Sequence, residues 1–175
     1  AEKELDFAKE TLPNLASSVF SIQGPPGSGK TYTGARLIVD LIWQGKKVGI
    51  TSQSHKAVRK LLDEVAKYGE QSRVNPRLLQ AVRKKTEGSS LVEEIADNGR
   101  TAKKFLKGEH DLIAGTAWVF ARPDMNKELD YLFIDEAGQF SLAHTLVAAQ
   151  STKNLVLLGD PQKLDQVMQA SHPEG

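Results

Sequence analysis

Five compact apolar runs punctuate the chain, at residues 19–23, 47–51, 111–114, 131–134 and 155–158. The last three are each followed by polar or glycine residues, the pattern of short strands buried on both faces of a parallel sheet. Helical patterns lie between the runs. Residues 30–43 are apolar around most of a helical circumference, and from 56 to 68 the pairs Ala57/Val58, Leu61/Leu62 and Val65/Ala66 recur every four residues, the stripe of an amphipathic helix. Strand and helix alternate, which predicts an α/β fold, mainly parallel, with helices on both faces of the sheet. The alternation breaks between about 70 and 108. There Asn75-Pro76 reads as an N-cap followed by proline at the first helical position, and Ser90 with Glu93 as a capping box. Two or three short helices are therefore expected over 75–107, making residues 70–108 a small helical insertion within one domain spanning 1–175.

Composition narrows the class of protein. With 175 residues the chain can bury one core. It has no cysteine, which excludes disulfide scaffolds and thiolate metal sites. The apolar stretch at 37–43 is broken by Asp40 and falls far short of the ~20 residues a bilayer span requires. No signal peptide is seen, so a cytoplasmic protein without membrane attachment is expected. The net charge of +1 conceals an asymmetry: nine basic residues face four acids between 73 and 107, whereas two basic residues face seven acids between 128 and 175. A basic half of this kind can track phosphates, but it can equally be a set of solvated helix faces.

The segment Gly24-Pro25-Pro26-Gly27-Ser28-Gly29-Lys30-Thr31 satisfies G-x-x-x-x-G-K-[ST] and lies between an expected strand and an expected helix, the context this phosphate loop needs. Pro25 and Pro26 have no N–H to donate, and their fixed φ stiffens the entry. The amides of Gly27, Ser28, Gly29, Lys30 and Thr31 can converge on a β-phosphate at a helix N-terminus. Lys30 supplies a cation for the β- and γ-phosphates, and the Thr31 hydroxyl is placed to ligate Mg²⁺. Farther on, residues 131–134 deliver Asp135-Glu136 to the carboxyl end of a strand, the edge where such sheets bind ligands. Asp135 would hold Mg²⁺ through water, and Glu136 would activate the attacking water as general base.

Asp135-Glu136-Ala137-Gly138-Gln139 also reads D-x-x-G-Q, a small-GTPase switch signature, and Asn126-Lys127 faintly suggests N-K-x-D. The order is wrong for a GTPase: Asn126-Lys127 precedes the acidic segment, and Asp130 falls one place too late. A small-molecule kinase shares the phosphate loop but does not call for the polar strand end at 159–164.

Taken together, these motifs resemble those of superfamily 1 helicases, in the branch of upframeshift-type and bacterial RecB-nuclease-fused enzymes, over nearly the whole chain. Thr51-Ser52-Gln53-Ser54-His55-Lys56-Ala57-Val58 looks like motif Ia, Gly115-Thr116-Ala117 like motif Ic, and Gly159-Asp160-Pro161-Gln162-Lys163-Leu164 like motif III. The resemblance implies a RecA-like P-loop NTPase sheet in which the motif III strand lies between the phosphate-loop strand and the acidic-pair strand. It implies ATP and Mg²⁺ as cofactors. Gly24, Gly27, Ser28, Gly29, Lys30 and Thr31 would bind phosphate, Thr31 and Asp135 the metal, and Lys30, Glu136 and Gln139 would serve catalysis, Gln139 by coupling nucleotide to nucleic acid. The family's motif III usually places a γ-phosphate-sensing Gln where this chain has Lys163, with Gln162 just before it. Either could contact the phosphate.

Ser52, Ser54, His55, Lys56 and Thr116 are the expected contacts to the backbone of single-stranded DNA or RNA. Trp118 could stack on a base, but beside Val119 and Phe120 it is expected in the core. The resemblance further implies a second RecA-like lobe elsewhere in the parent protein, which would supply the catalytic arginine, and a possible fused nuclease domain. The 175 residues alone are then expected to be nearly inert as an ATPase. The alternative is a nucleotide-regulated binding module whose motor is impaired at Lys163.

Overall fold

The computed structural model describes residues 2–25, 27–85 and 91–160. Helix α1 (Glu2–Thr11) leads through a 3₁₀ turn at Leu12–Asn14 into strand β1 (Val19–Gln23), the phosphate loop and helix α2 (Lys30–Trp43). Strand β2 (Val48–Thr51) and the long helix α3 (His55–Gln71) follow, then β3 (Leu78–Ala81), β4 (Val92–Ile95), α4 (Asn98–Leu106), β5 (Leu112–Gly115) and the short helix α5 (Ala117–Phe120). The described chain closes with β6 (Leu129–Asp135), a 3₁₀ turn at Ala137–Gln139, α6 (Leu142–Ala149) and β7 (Thr152–Gly159). All seven strands are parallel in one sheet of order β1-β7-β6-β2-β5-β3-β4, so β7 does lie between β1 and β6. Their carboxyl ends therefore share one edge.

Two hydrophobic clusters pack on the sheet. One joins α2 and α3 through Leu37, Ile38, Leu41, Val58, Leu61 and Val65 to Val48, Ile50, Leu112 and Phe133. The other joins α4 and α5 through Ala102, Phe105, Val119 and Phe120 to Leu79, Ile113, Leu132 and Ile134. Every residue of β2 and β5 is buried, as continuous apolar runs covered by helices on both faces require. Tyr131, fully within the first cluster, donates its hydroxyl to the Leu12 carbonyl and so anchors the N-terminal segment, which the hydrophobic pattern did not anticipate.

Residues 70–108 are the main correction. They do not form a helical insertion: β3 and β4 extend the sheet, and among the described residues beyond the end of α3 only α4 is helical. Asn75 adopts a left-handed φ of 48° instead of capping a helix, and Ser90 lies outside the described residues. A four-residue apolar run such as Leu78–Ala81 has no periodicity that separates strand from helix, and here pairing with β5 decides it. In β4, Glu94 is buried at 8% exposure because Arg59 of α3 meets its carboxylate at 2.6 Å. That ion pair is a tertiary contact with no local signature.

Candidate functional site: two clefts on one strand edge

The first cleft, of about 490 Å³, opens over the ends of β1, β7 and β6. It is lined by Gly27, Gly29, Lys30 and Thr31 of the loop, by Asp135, Glu136, Gly138 and Gln139 after β6, and by Gly159 and Asp160 after β7. Gly27 and Gly29 sit at φ of 78° and 86°, a left-handed conformation that residues with a Cβ adopt at a cost. Nothing within 4 Å would obstruct a side chain at either position, so backbone conformation, not crowding by the protein, calls for glycine there. At Gly24 the conformation is ordinary, and a Cβ there would press on the Ser28 side chain. Gly24 N–H donates to Gly159 O (3.1 Å), which pins the mouth of the loop to the motif III strand.

The Lys30 ammonium donates to the carbonyls of Gly24 and, at 2.8 Å, Pro25. The loop thus holds its own cation curled over it, where a phosphate oxygen would compete for the same protons. Asp135 ends β6 at 7% exposure, and its Oδ1 accepts from the Glu136 N–H (3.0 Å). Burial holds its carboxyl above the ordinary range. That backbone N–H pulls the other way, Glu136 adds to the rise, and the charges of Lys60 and Lys30 oppose it. Glu136 is exposed and left-handed at φ 53°, which turns the chain sharply from strand into the 3₁₀ segment. Among the described residues no group of three His, Asp or Glu side chains could hold a metal by itself. The Thr31 hydroxyl and one buried carboxylate are oxygen donors that suit Mg²⁺ shared with substrate phosphates, not a closed protein cage.

The second cleft, of about 610 Å³, lies over the ends of β2, β5, β3 and β4. Ser54, His55 and Thr116 line it as the motifs suggested, with Gln53, Arg83, Asn98, Trp118, Phe140 and His144. Their roles are not uniform. Ser54 caps α3, its Oγ accepting from Ala57 N (3.2 Å). Ser52 lines the second cleft too; its side chain is fully buried and its hydroxyl donates to Asp135 O (3.0 Å), a residue of the first cleft, so it links the two. His55 Nδ1 is buried without a hydrogen-bond partner among the described residues. Lys56 is exposed on the first turn of α3 and is not among the lining residues.

Trp118 overturns the core expectation. It is 65% exposed while Val119 and Phe120 are buried, and its ring stands edge-on to His144 with centroids 5.8 Å apart. A four-residue helix can bury only one side, and Ala117, Val119 and Phe120 take it. The sequence also gave no notice of Tyr32, Lys60 and Glu64, which line the first cleft. Lys60 follows Lys56 by four residues on one helix face, and that spacing was the available signal. Gln162 and Lys163 lie outside the described residues.

A glycine-bent phosphate loop and a strand-borne acidic pair facing one cleft, with the intervening strand hydrogen-bonded to the loop, define a RecA-like P-loop NTPase fold. A family profile described as the AAA domain matches residues 8–172, and the chain belongs to that family.

Among curated proteins, the DNA replication ATP-dependent helicase/nuclease dna2 of Schizosaccharomyces pombe is 28% identical over 157 residues, covering 86% of this chain and 11% of that protein. Human DNA replication ATP-dependent helicase/nuclease DNA2 is 28% identical over 158 residues, covering 86% and 14%. The chain therefore spans a small fraction of the length of these relatives. Among solved structures, the SWI2/SNF2 ATPase core of Sulfolobus solfataricus in complex with dsDNA superposes with TM-score 0.55 at 18% identity, over 90% of this chain and 30% of that one. The UvsW helicase of bacteriophage T4 gives 0.55 at 12% identity, over 91% and 60%. At such identities these two likenesses establish the fold. Among the described residues no helix is long and apolar enough to cross a membrane.

Proposed function

We propose that this chain is the first motor domain of an ATP-dependent superfamily 1 helicase or translocase that acts on single-stranded nucleic acid. The first cleft takes Mg-ATP: the loop amides and Lys30 bind phosphate, Thr31 and Asp135 hold the metal, and Glu136 activates water, with Gln139 beside it. The second takes the strand, with His55, Ser54 and Thr116 toward the phosphodiester backbone and Trp118 as a surface on which a base stacks.

One observation carries this reading above a plain nucleotide-binding domain. The two clefts share a strand edge, and Ser52, inside motif Ia, is hydrogen-bonded to the backbone of the acidic residue at the nucleotide cleft. A shift of Asp135 on hydrolysis is thereby transmitted to the strand-binding segment. The small share of its helicase/nuclease relatives that the chain spans supports placing it in a longer protein with a second RecA-like lobe. That lobe would complete the hydrolytic site, and a fused nuclease is a further expectation.

The test is a pair of titrations on the protein, one with Mg-ATP and one with single-stranded oligonucleotides of DNA and RNA. Binding of both ligand classes, each altering the affinity for the other, supports the reading. Binding of nucleotide with no affinity for either polymer would sink it.

A further inference from the structure

A strongly charged feature outside both clefts lies on α4, next to the second of them. Arg100, Lys103, Lys104 and Lys107 recur at positions i, i+3, i+4 and i+7 and so form one stripe, with Phe105 and Ala102 buried on the opposite side. The stripe borders a groove of about 560 Å³ at the β4 edge of the sheet, lined among the described residues by these four cations and Lys85 against two carboxylates, Glu93 and Glu109. Those carboxylates engage one cation: Lys104 meets Glu93 at 2.5 Å and Glu109 at 4.0 Å. Glu93 also faces His110 at 2.9 Å. Arg100, Lys103 and Lys107 are exposed, and none of them makes an ion pair within 4 Å among the described residues. Lys103 acts on Asp124 through charge alone, and that carboxylate is already bound bidentately by Arg122. Three long side chains are thus held on a rigid helix with their charge unspent.

The position of the groove matters as much as its charge. Ala96, at the carboxyl end of β4, lines both this groove and the second cleft, which itself contributes Arg83, Asp97 and Asn98 at the junction. A strand leaving the second cleft across β3 and β4 would meet the first turn of α4 and then Arg100, Lys103 and Lys107 in order along ~10 Å of helix. The groove has no aromatic side chain to stack on a base. It is suited to a chain of phosphates and indifferent to sequence.

We propose that the α4 groove is a second nucleic-acid site, a phosphate track that holds the backbone of the strand after it leaves the base-contacting cleft. This rests on the strand-binding reading of the second cleft and adds to it a direction of exit over the β4 edge. Length dependence is its signature. A short oligonucleotide of about six residues fills the first-contact cleft alone, whereas one of about twenty also engages α4.

The experiment measures the affinity of the protein for both lengths across a salt series, for the native chain and for an R100Q/K103Q/K107Q variant whose fold is checked by circular dichroism and by Mg-ATP binding. The proposal expects the variant to keep the short-oligonucleotide affinity and to lose the extra affinity of the longer one. Its log–log salt slope should fall by about 2, as three fewer phosphate contacts to a single strand require. Unchanged affinity and slope for the longer oligonucleotide in a folded variant would overturn it. So would a polyglutamate peptide that binds the native groove as tightly as the oligonucleotide and is lost equally in the variant, since that marks a face for an acidic protein. Failure of the native chain to bind either length would instead remove the strand-binding reading beneath it.

Discussion

The two clefts share one strand edge but are built by different means. The first cleft is organised around a backbone loop. Two glycines in left-handed conformation bend the loop, Gly24 N–H ties it to Gly159, and the lysine is held by the loop's own carbonyls. The second cleft is made of side chains drawn from the ends of four strands, with an exposed tryptophan and a buried histidine nitrogen that has no hydrogen-bond partner among the described residues. A site of the first kind is fixed before ligand arrives, which suits a constant phosphate group. A site of the second kind can adjust, as the proposed reading asks of a site that meets different bases.

The largest expected effect is therefore at Lys30. If Lys30 meets the β- and γ-phosphates as proposed, K30A should lower the proposed nucleic-acid-stimulated ATP hydrolysis of the longer protein at least ~100-fold, the scale of losing one electrostatic contact to the transition state. Oligonucleotide affinity in the absence of nucleotide should not change. E136Q divides the nucleotide cleft more finely. Mg-ATP affinity, read by a fluorescent analogue, should persist, while turnover falls ~10²- to 10⁴-fold with loss of the general base. Equal loss of binding would move Glu136 from catalysis to structure.

On the other side of the comparison, W118A should cost ~1 to 3 kcal/mol of oligonucleotide affinity, the worth of one stacked base, with Mg-ATP affinity intact. Anisotropy with a labelled strand would show it. Because Trp118 is largely exposed, the thermal midpoint should hardly move, and a large drop would mean that the ring supports the fold instead.

The smallest effect concerns the link between the clefts. S52A removes the hydroxyl bonded to Asp135 O and should cost ~1 kcal/mol of stability. Its informative readout is coupling: the change in strand affinity on adding Mg-ATP should shrink relative to the native chain. Undiminished coupling would show that the bridge is structural only.

The same contrast explains what the sequence disclosed. The nucleotide cleft was legible because its loop is one contiguous motif, and the conformations of Gly27 and Gly29 are written in residue type. The acidic pair announced itself by ending an apolar run. The order of β1, β7 and β6 came only from the family resemblance, and the sheet agrees with it. The second cleft was legible only where motif Ia and motif Ic supply it. Arg83 and Asn98 went unseen because β3 and β4 were read as helices, and β4 is held by an Arg59–Glu94 pair that joins residues far apart in the chain. Trp118 was misjudged because burial statistics describe tryptophans in general, whereas the side it takes on α5 was already claimed by Val119 and Phe120. Ser52 looked like a phosphate ligand by type, and only the neighbouring strand shows that its hydroxyl is committed to Asp135.

The central claim is that two separable ligand sites, one for nucleotide and one for a single strand, occupy the same sheet edge. The most direct measurement is a crossed titration in which native, K30A and W118A proteins are each titrated with Mg-ATP and with a single-stranded oligonucleotide. The account predicts that K30A loses nucleotide and keeps the strand, while W118A weakens the strand and keeps nucleotide. Loss of both ligands in either folded variant, or loss of neither in both, would contradict it.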